Sequence, residues 1–141
     1  MDAGSAAAIA AAFVWLGMVI AISFVEAPLK FRATGVTVPI GLSIGRLVFR
    51  ALNGAEAVFA AIVLVAVAVG NLPGRSLPAL AAAIAVLFIQ LVFVRPALTR
   101  RSDRVLAGED APRSAGHHAY IALELAKVVA LLVAGVFLLA Q

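Results

Sequence analysis

The sequence predicts an all-α membrane protein in the form of a four-helix transmembrane bundle. The chain has 141 residues, of which 65% are hydrophobic and 13% are charged, whereas a soluble domain is about half apolar and about a quarter charged. The apolar residues form four long runs, each close to the roughly 20 residues that a helix needs to cross a bilayer. The lysines and arginines lie in short connections between these runs. We therefore expect one transmembrane domain surrounded by lipid.

The four predicted helices cover about residues 5–26, 44–69, 77–97 and 117–140. Backbone amides in hydrocarbon must bond within their own segment, and segments of this length do so as helices. The first run could also be a signal peptide. It lacks a positive region before the apolar run and a cleavage site after it, so we interpret it as a retained helix.

Turn residues separate the helices. The stretch NLPG at 71–74 makes a tight break that suits an antiparallel pair of helices. Pro39 is a candidate start for an interfacial helix that continues into the second transmembrane helix. Gly41 and Gly45 would permit a bend in that helix.

The basic residues predict the orientation of the bundle. Two connections are basic, the middle connection carries only Arg75, and neither terminus carries lysine or arginine. Since basic loops stay in the cytoplasm, we expect both basic connections inside and both chain ends outside. The basic residues concerned are Lys30, Arg32 and Arg46 in the first connection, and Arg95, Arg100, Arg101, Arg104 and Arg113 in the last.

Composition excludes several classes of function. The net charge of +4 lies in loops that would face anionic lipid, and no basic stripe with interleaved aromatics suggests nucleic acid as a partner. Without cysteine, the chain has no disulfide and no thiolate metal site. The abundance of Ala, Val, Arg and Gly is typical of bacteria, so we expect the inner (plasma) membrane of a bacterium as its location.

Three of the predicted helices carry a polar stripe. At about 100° per residue, the stripe residues fall within roughly 120° on the second helix and about 80° on the fourth. The stripes consist of Ser23, Glu26 and Lys30 on the first helix, Arg46, Arg50, Asn53 and Glu56 on the second, and His117, Tyr120, Glu124 and Lys127 on the fourth. We expect these faces to form a polar cluster inside the cytoplasmic half of the bundle.

Glu56 and Lys127 have matching depths. At about 1.5 Å per residue, they lie about 15 Å beyond Arg46 and His117, close to the middle of a bilayer. Each charge would cost about 3 kcal/mol there if it faced lipid, so we expect the two to pair. Trp15 and the other aromatic residues are expected only to pack or to anchor the interface.

Two functions are compatible with such a cluster. Ionisable groups inside a membrane commonly move protons, ions or polar solutes, so we favour transport or channel-like movement of a proton, an ion or a small polar solute. A buried ion pair can also simply fix helix register in a structural or accessory subunit. Lys30, Arg46 and Arg50 could instead extend to lipid headgroups.

The sequence contains three candidate metal ligands but no cofactor-binding motif. His117, His118 and Glu124 are the candidate metal ligands, but the Glu-x-x-His spacing of di-metal bundles is absent. There is no nucleotide-binding loop, nucleophile elbow or zinc signature. The sequence thus predicts no catalytic residue and names no cofactor.

Two short motifs and their positions resemble the transmembrane-protein-205-like family of small four-helix membrane proteins. The motifs are SFVEAPLKF at the end of the first helix and IGRLVF at the start of the second, followed by a His-containing start to the fourth. The resemblance implies a four-helix membrane fold. The biochemical role of that family is poorly defined, although its eukaryotic member is linked to drug resistance and secretion. The positions that carry it are Pro28, Phe31, Arg46, Phe49 and His117.

A second resemblance is to the membrane-associated eicosanoid and glutathione metabolism family. RALNGAE at 50–56 has the Arg-Ala start and the Asn-x-x-Glu end of that family's helix-two signature, but lacks its histidine and is one residue shorter. This resemblance implies a glutathione-dependent enzyme. Arg50, Asn53 and Glu56 would then line a glutathione site at a trimer interface.

Small residues predict association with other helices. The stretches AAAIAAA and ALAAAIA let helices approach closely within or between subunits. Because four short helices enclose little volume, we expect a homo-oligomer or a partner membrane subunit to help form any pathway.

Overall fold

The fold is the predicted all-α transmembrane bundle. The structure, a computed structural model, describes residues 1–111 and 115–141, and this part of the chain contains helices and no strand. All four helices are long and apolar enough to cross a membrane. They are α1, Ala3–Lys30; α2, Val38–Val69; α3, Gly74–Leu106; and α4, Ala115–Leu139.

Three helices extend further than the sequence predicted. α2 begins at Val38 instead of about residue 44, because the Thr37 hydroxyl accepts a hydrogen bond from the Ile40 amide at 3.4 Å and Pro39 lies in the first turn. The interfacial start predicted at Pro39 is therefore continuous with α2. α1 runs on to Lys30 and α3 to Leu106, because both pass through a proline without ending.

Each of these prolines follows a π-helical turn. Ile20–Glu26 in α1 precedes Pro28, and Gln90–Val94 in α3 precedes Pro96. A proline lacks the amide proton and its ring crowds the carbonyl four residues earlier. A π turn shifts the hydrogen bonds to the carbonyl five residues back, so the helix can continue. Beyond the second proline, the helix carries Arg100, Arg101 and Arg104.

The two ends of the bundle differ in character. We call the end that holds both termini and the 70–73 connection the terminal end, and the opposite end the basic end. At the terminal end, the Asp2 carboxylate accepts hydrogen bonds from the Ser5 amide at 2.7 Å and the Asn71 amide at 2.9 Å. The Arg75 guanidinium donates to the Ala140 carbonyl. These bonds link α1 to the 70–73 connection and the start of α3 to the end of the chain after α4.

The helices pack in the order α2, α1, α4, α3. α1 contacts α2 on one side and α4 on the other, and α3 packs along α4. α2 and α3 meet mainly at the basic end, where Arg46 and Asp103 form an exposed ion pair at 2.8 Å. Arg113, one of the predicted basic loop residues, lies outside the described residues.

Glycines set two close approaches between elements. A Cβ on Gly4 would lie 2.7 Å from the Gly70 Cα, so α1 and the end of α2 touch through backbone. Gly41 and Gly45 form a groove that receives Phe31 and Lys30. At these two positions the absence of a side chain makes room for the end of α1 and the residue that follows it.

The apolar core fills the terminal half of the bundle. Trp15, Leu87 and Leu131 lie near the middle, and smaller residues follow toward the terminal end. Alanines dominate these layers, which lets the helices approach closely. The next layers are Ala11, Val63, Leu80 and Ala134, and then Ala8, Ala66 and Leu138.

Candidate functional site

A buried lysine lies between two buried carboxylates at the middle of the bundle. The Lys127 ammonium is 2.5 Å from a Glu56 oxygen and 2.5 Å from a Glu124 oxygen. All three side chains are almost completely inaccessible. The expected pairing of Glu56 with Lys127 is confirmed, and Glu124 shares the same lysine. We call these three residues the triad.

Gln90 joins the triad from α3. Its amide nitrogen donates to Glu124 at 2.9 Å, and its amide oxygen accepts from Lys127 at 2.6 Å. The neutral amide therefore bridges an acid and a base that are already paired. All four transmembrane helices contribute, since Trp15 of α1 also donates its indole N–H to Glu56 at 2.7 Å. Trp15 is thus a polar partner as well as a packing residue, contrary to expectation.

Two hydroxyl groups complete the hydrogen bonds of Glu124. The Ser23 hydroxyl donates to Glu124 Oε2, and the Tyr120 hydroxyl donates to the same oxygen at 3.4 Å. Ser23 belongs to the π turn of α1, just as Gln90 begins the π turn of α3. We call the triad with Trp15, Ser23, Gln90 and Tyr120 the polar centre.

The triad has more acceptors than donors. With every group ionised, two carboxylates and one ammonium carry a net charge of −1 in a site from which water is excluded. Glu56 Oε1 is buried and has no hydrogen-bond partner among the described residues. A charge of this kind is costly in a low dielectric. One additional proton on either carboxylate would neutralise the triad.

Among the described residues, polar side chains continue from the polar centre toward the basic end. Tyr120 is 8% exposed. Beyond it, the side chain of Lys30 is 10% exposed and that of Glu26 is 34% exposed, and the two form an ion pair at 3.5 Å. In the opposite direction the first contact is the apolar core around Trp15 and Leu131. The polar centre therefore has a polar connection to one end of the bundle.

Arg95 enters the bundle where the sequence placed a loop residue. Its guanidinium carbon lies 4.9 Å from the centre of the Phe49 ring and 5.1 Å from that of Tyr120. Lys30 approaches the same Phe49 ring at 5.6 Å. The π turn is responsible for this position. Gln90 and Arg95 would differ by about 140° on a regular α-helix, and the wider turn brings them closer to one face.

The predicted stripe on α2 does not enter the polar centre as a unit. Glu56 is buried there, Asn53 is half-buried, and Arg46 and Arg50 are exposed. Helical geometry explains the separation, because Arg46 lies about 80° and Arg50 about 120° around the helix from Glu56. Arg46 pairs instead with Asp103 at the basic end.

The histidines and Glu124 do not form a metal site. His117 and His118 contact each other, with ring centres 5.7 Å apart, whereas Glu124 is held by Lys127, Gln90 and Ser23. Within residues 1–111 and 115–141, no three histidine, aspartate or glutamate side chains come together as metal ligands. The chemistry of the site therefore rests on carboxylate, ammonium, amide and hydroxyl groups.

Sequence reasoning missed Gln90, Trp15 and Arg95. Gln90 had a signal, since it is a lone polar residue within the apolar run LFIQLVFV. Trp15 gave none, because nothing in its own helix reveals a carboxylate on α2. The inward position of Arg95 depends on the π turn before Pro96 and could not be obtained from a regular helical repeat.

Comparison of the chain with protein-family models, with curated proteins and with solved structures found no match.

Proposed function

We propose that this membrane protein moves protons, or an ion or small polar solute together with protons, across its membrane. The observation that carries the proposal is the triad, in which one buried lysine is shared by two buried carboxylates. Such a group can take up and release one proton while its other contacts stay in place. Intramembrane ionisable residues commonly serve this purpose.

The asymmetry of the bundle supports a gated route. Polar residues lead from the triad to the basic end, while the apolar core closes the terminal half. A proton held at the triad would leave toward the terminal end only after the helices rearrange. Ser23 and Gln90 belong to π turns, which often occur at functional sites. We place the hinges of the rearrangement at these two turns, with the basic end in the cytoplasm of a bacterial cell.

A structural or accessory subunit is the second candidate. It is favoured by the complete pairing of Lys127 and by the contribution of all four helices to one network. Such a network would fix the register of the helices without moving anything. The two candidates differ in a measurable way, because only the first requires flux through the isolated protein.

The glutathione-dependent enzyme implied by the second resemblance has less support. It would require Arg50, Asn53 and Glu56 to line one site. Arg50 is exposed on α2, whereas Glu56 points into the bundle. We therefore do not extend the proposal to catalysis.

Association with a second copy would fit the proposed transport. A membrane-facing groove of about 490 Å³ runs between α1 and α2 near the terminal end and is lined by apolar and small residues, among them Gly4, Ala7 and Ala61. Small residues let helices of two subunits approach closely in lipid. Native mass spectrometry of the detergent-purified protein would detect such an oligomer.

Proton flux into sealed liposomes tests the proposal. The purified chain is reconstituted, a potassium diffusion potential is imposed, and the internal pH is followed with a trapped dye. We expect the wild type to conduct protons, Glu56→Gln to lose this flux, and Glu109→Gln, an exposed loop control, to keep it. Absence of flux in the folded wild type would contradict transport and favour the accessory subunit.

A further inference from the structure

Arg95 presents a free edge of its guanidinium inside the bundle. The Nε and Nη2 atoms are both buried, and neither has a hydrogen-bond partner among the described residues. Buried polar groups in native proteins are nearly always satisfied, so an exception calls for a missing partner. A guanidinium keeps its charge under all ordinary conditions, so deprotonation cannot relieve the deficit.

These two atoms are adjacent on the guanidinium and define the edge opposite Nη1. Two parallel N–H groups on one edge match the two oxygens of a carboxylate, which they bind in a bidentate manner. The guanidinium lies over the rings of Phe49 and Tyr120, which contact each other edge to face with centres 5.8 Å apart. Both rings hold the guanidinium by cation–π contact. The donors are therefore held in place before any ligand arrives.

Among the described residues, the neighbouring charged groups are paired with one another and not with Arg95. Lys30 is paired with Glu26, and Lys127 is paired with both carboxylates of the triad. Within the part of the chain that the structure describes, no ion pair involves Arg95. Arg95 thus balances the excess negative charge of the triad only at a distance, across Tyr120. Lys30 lies over the same Phe49 ring as Arg95. Tyr120 contacts Arg95 and donates to Glu124. Through Glu124 these contacts reach Lys127 and Glu56.

We propose that the Nε and Nη2 edge of Arg95, beside Phe49 and Tyr120, binds the carboxylate of a small monocarboxylic acid. This inference rests on the proposed function and names its cargo, an organic anion that travels with a proton. An anion bound at Arg95 cancels the charge that offset the triad. The triad then takes up one proton, and the occupied site is neutral again. The Lys30 and Glu26 pair, whose side chains are 10% and 34% exposed, marks the entry from the basic end.

Binding of acetate, the probe, to the full-length protein in detergent tests the site. Saturation-transfer NMR on the acetate methyl group reports binding, and circular dichroism with gel filtration verifies the fold of each variant. We expect saturable binding to the wild type and to Arg100→Gln, a control on the exposed part of the same helix. Binding should be about tenfold weaker or more in Arg95→Gln, because the loss of one charge-assisted hydrogen bond is enough for such a change.

A second variant keeps the test decisive if Arg95→Gln does not fold. Arg95→Lys retains the positive charge but removes the two-donor edge, and we expect it to fold and to bind acetate more weakly than the wild type. Equal acetate binding by Arg95→Lys and the wild type would overturn the proposal. So would non-saturable binding, or stronger competition by phosphate or chloride than by a second carboxylate such as propionate.

The proposal and the proposed function fail in different ways. If protons cross liposomes containing the wild type but acetate does not bind at Arg95, the cargo is wrong and proton transport stands. If acetate binds and the Arg95 variants lose it, but no flux occurs in liposomes, the site stands and transport is wrong. If acetate stimulates proton uptake into the liposomes and Arg95→Lys abolishes this effect, both the carboxylate site and proton transport are supported.

Discussion

Lys127 is the residue on which the polar centre depends most. It neutralises two carboxylates and donates to Gln90, so its removal leaves two acids facing each other without a cation. Breaking a buried ion pair by removing one partner costs about 3–5 kcal/mol. We expect Lys127→Met to lower the free energy of unfolding by that amount, measured by detergent-denaturant titration of the purified protein.

Glu124→Gln is the matched control for this prediction. It removes one carboxylate, leaves the Lys127 pair with Glu56 intact, and keeps an oxygen that can accept from Ser23. We expect a loss of about 1 kcal/mol, the net value of an ordinary hydrogen bond. If Lys127→Met were as stable as Glu124→Gln, Lys127 would not be the charge that holds the carboxylates.

Among single residues, the sequence predicted the contacts that follow from the regular helical repeat. The matching depths of Glu56 and Lys127 predicted their pairing, and the spacing of Tyr120, Glu124 and Lys127 correctly predicted that they share one face of the fourth helix. The partners contributed by other helices could not be predicted. Trp15 and Gln90 reach the triad only because of how the four helices pack, and a single sequence does not contain that information.

At the scale of elements, the contact of α1 with the end of α2 depends on the absence of a side chain. A Cβ on Gly4 would lie 2.7 Å from the Gly70 backbone, whereas a Cβ on Gly17 of the same helix meets nothing within 4 Å. We expect Gly4→Ala to cost about 1–3 kcal/mol, as overpacking does. Gly17→Ala should be neutral or stabilising by up to about 1 kcal/mol. Thermal unfolding of both variants in detergent measures the difference, and equal midpoints would contradict the close approach.

The Asp2 cap of α1 predicts that the stability of the fold decreases at acidic pH. Hydrogen bonds from the Ser5 and Asn71 amides lower the pKa of Asp2 below its ordinary value of 3.8. A lowered pKa stabilises the fold above the ordinary value, and this contribution disappears as the pH falls through the folded-state pKa. We expect the unfolding temperature of the wild type to fall more than that of Asp2→Asn when the pH drops below about 3.8. If acid lowered the unfolding temperature of both proteins equally, Asp2 would not link α1 to the 70–73 connection.

The number and type of the helices could be predicted because each apolar run has the length of a membrane crossing. The residues at which the helices end could not be predicted in this way. Thr37 and Pro39 begin α2 earlier than the apolar run suggests, and the π turns carry α1 and α3 past Pro28 and Pro96. A proline normally indicates the end of a helix, and only the local rearrangement of hydrogen bonds shows otherwise.

At the scale of the whole molecule, the distribution of positive charge predicts the orientation in the membrane. The chain has no cysteine, so single cysteines can be introduced without interference. We expect Ala140→Cys at the terminal end to react with a membrane-impermeant maleimide in intact cells. Ala107→Cys at the basic end should react only after permeabilisation. The reverse pattern would place the arginines of α3 outside the cell and overturn the positive-inside assignment.

The central claim is that the triad holds one exchangeable proton in the middle of the bundle. Infrared difference spectroscopy of the reconstituted protein during a pH titration observes this proton directly through the carbonyl band of a protonated carboxyl group. We predict a band that appears and disappears reversibly in the wild type and in Glu109→Gln, and that is lost in the double variant Glu56→Gln with Glu124→Gln. If no such band depends on Glu56 or Glu124 at any pH at which the protein stays folded, the triad is a permanent ion pair and does not carry protons.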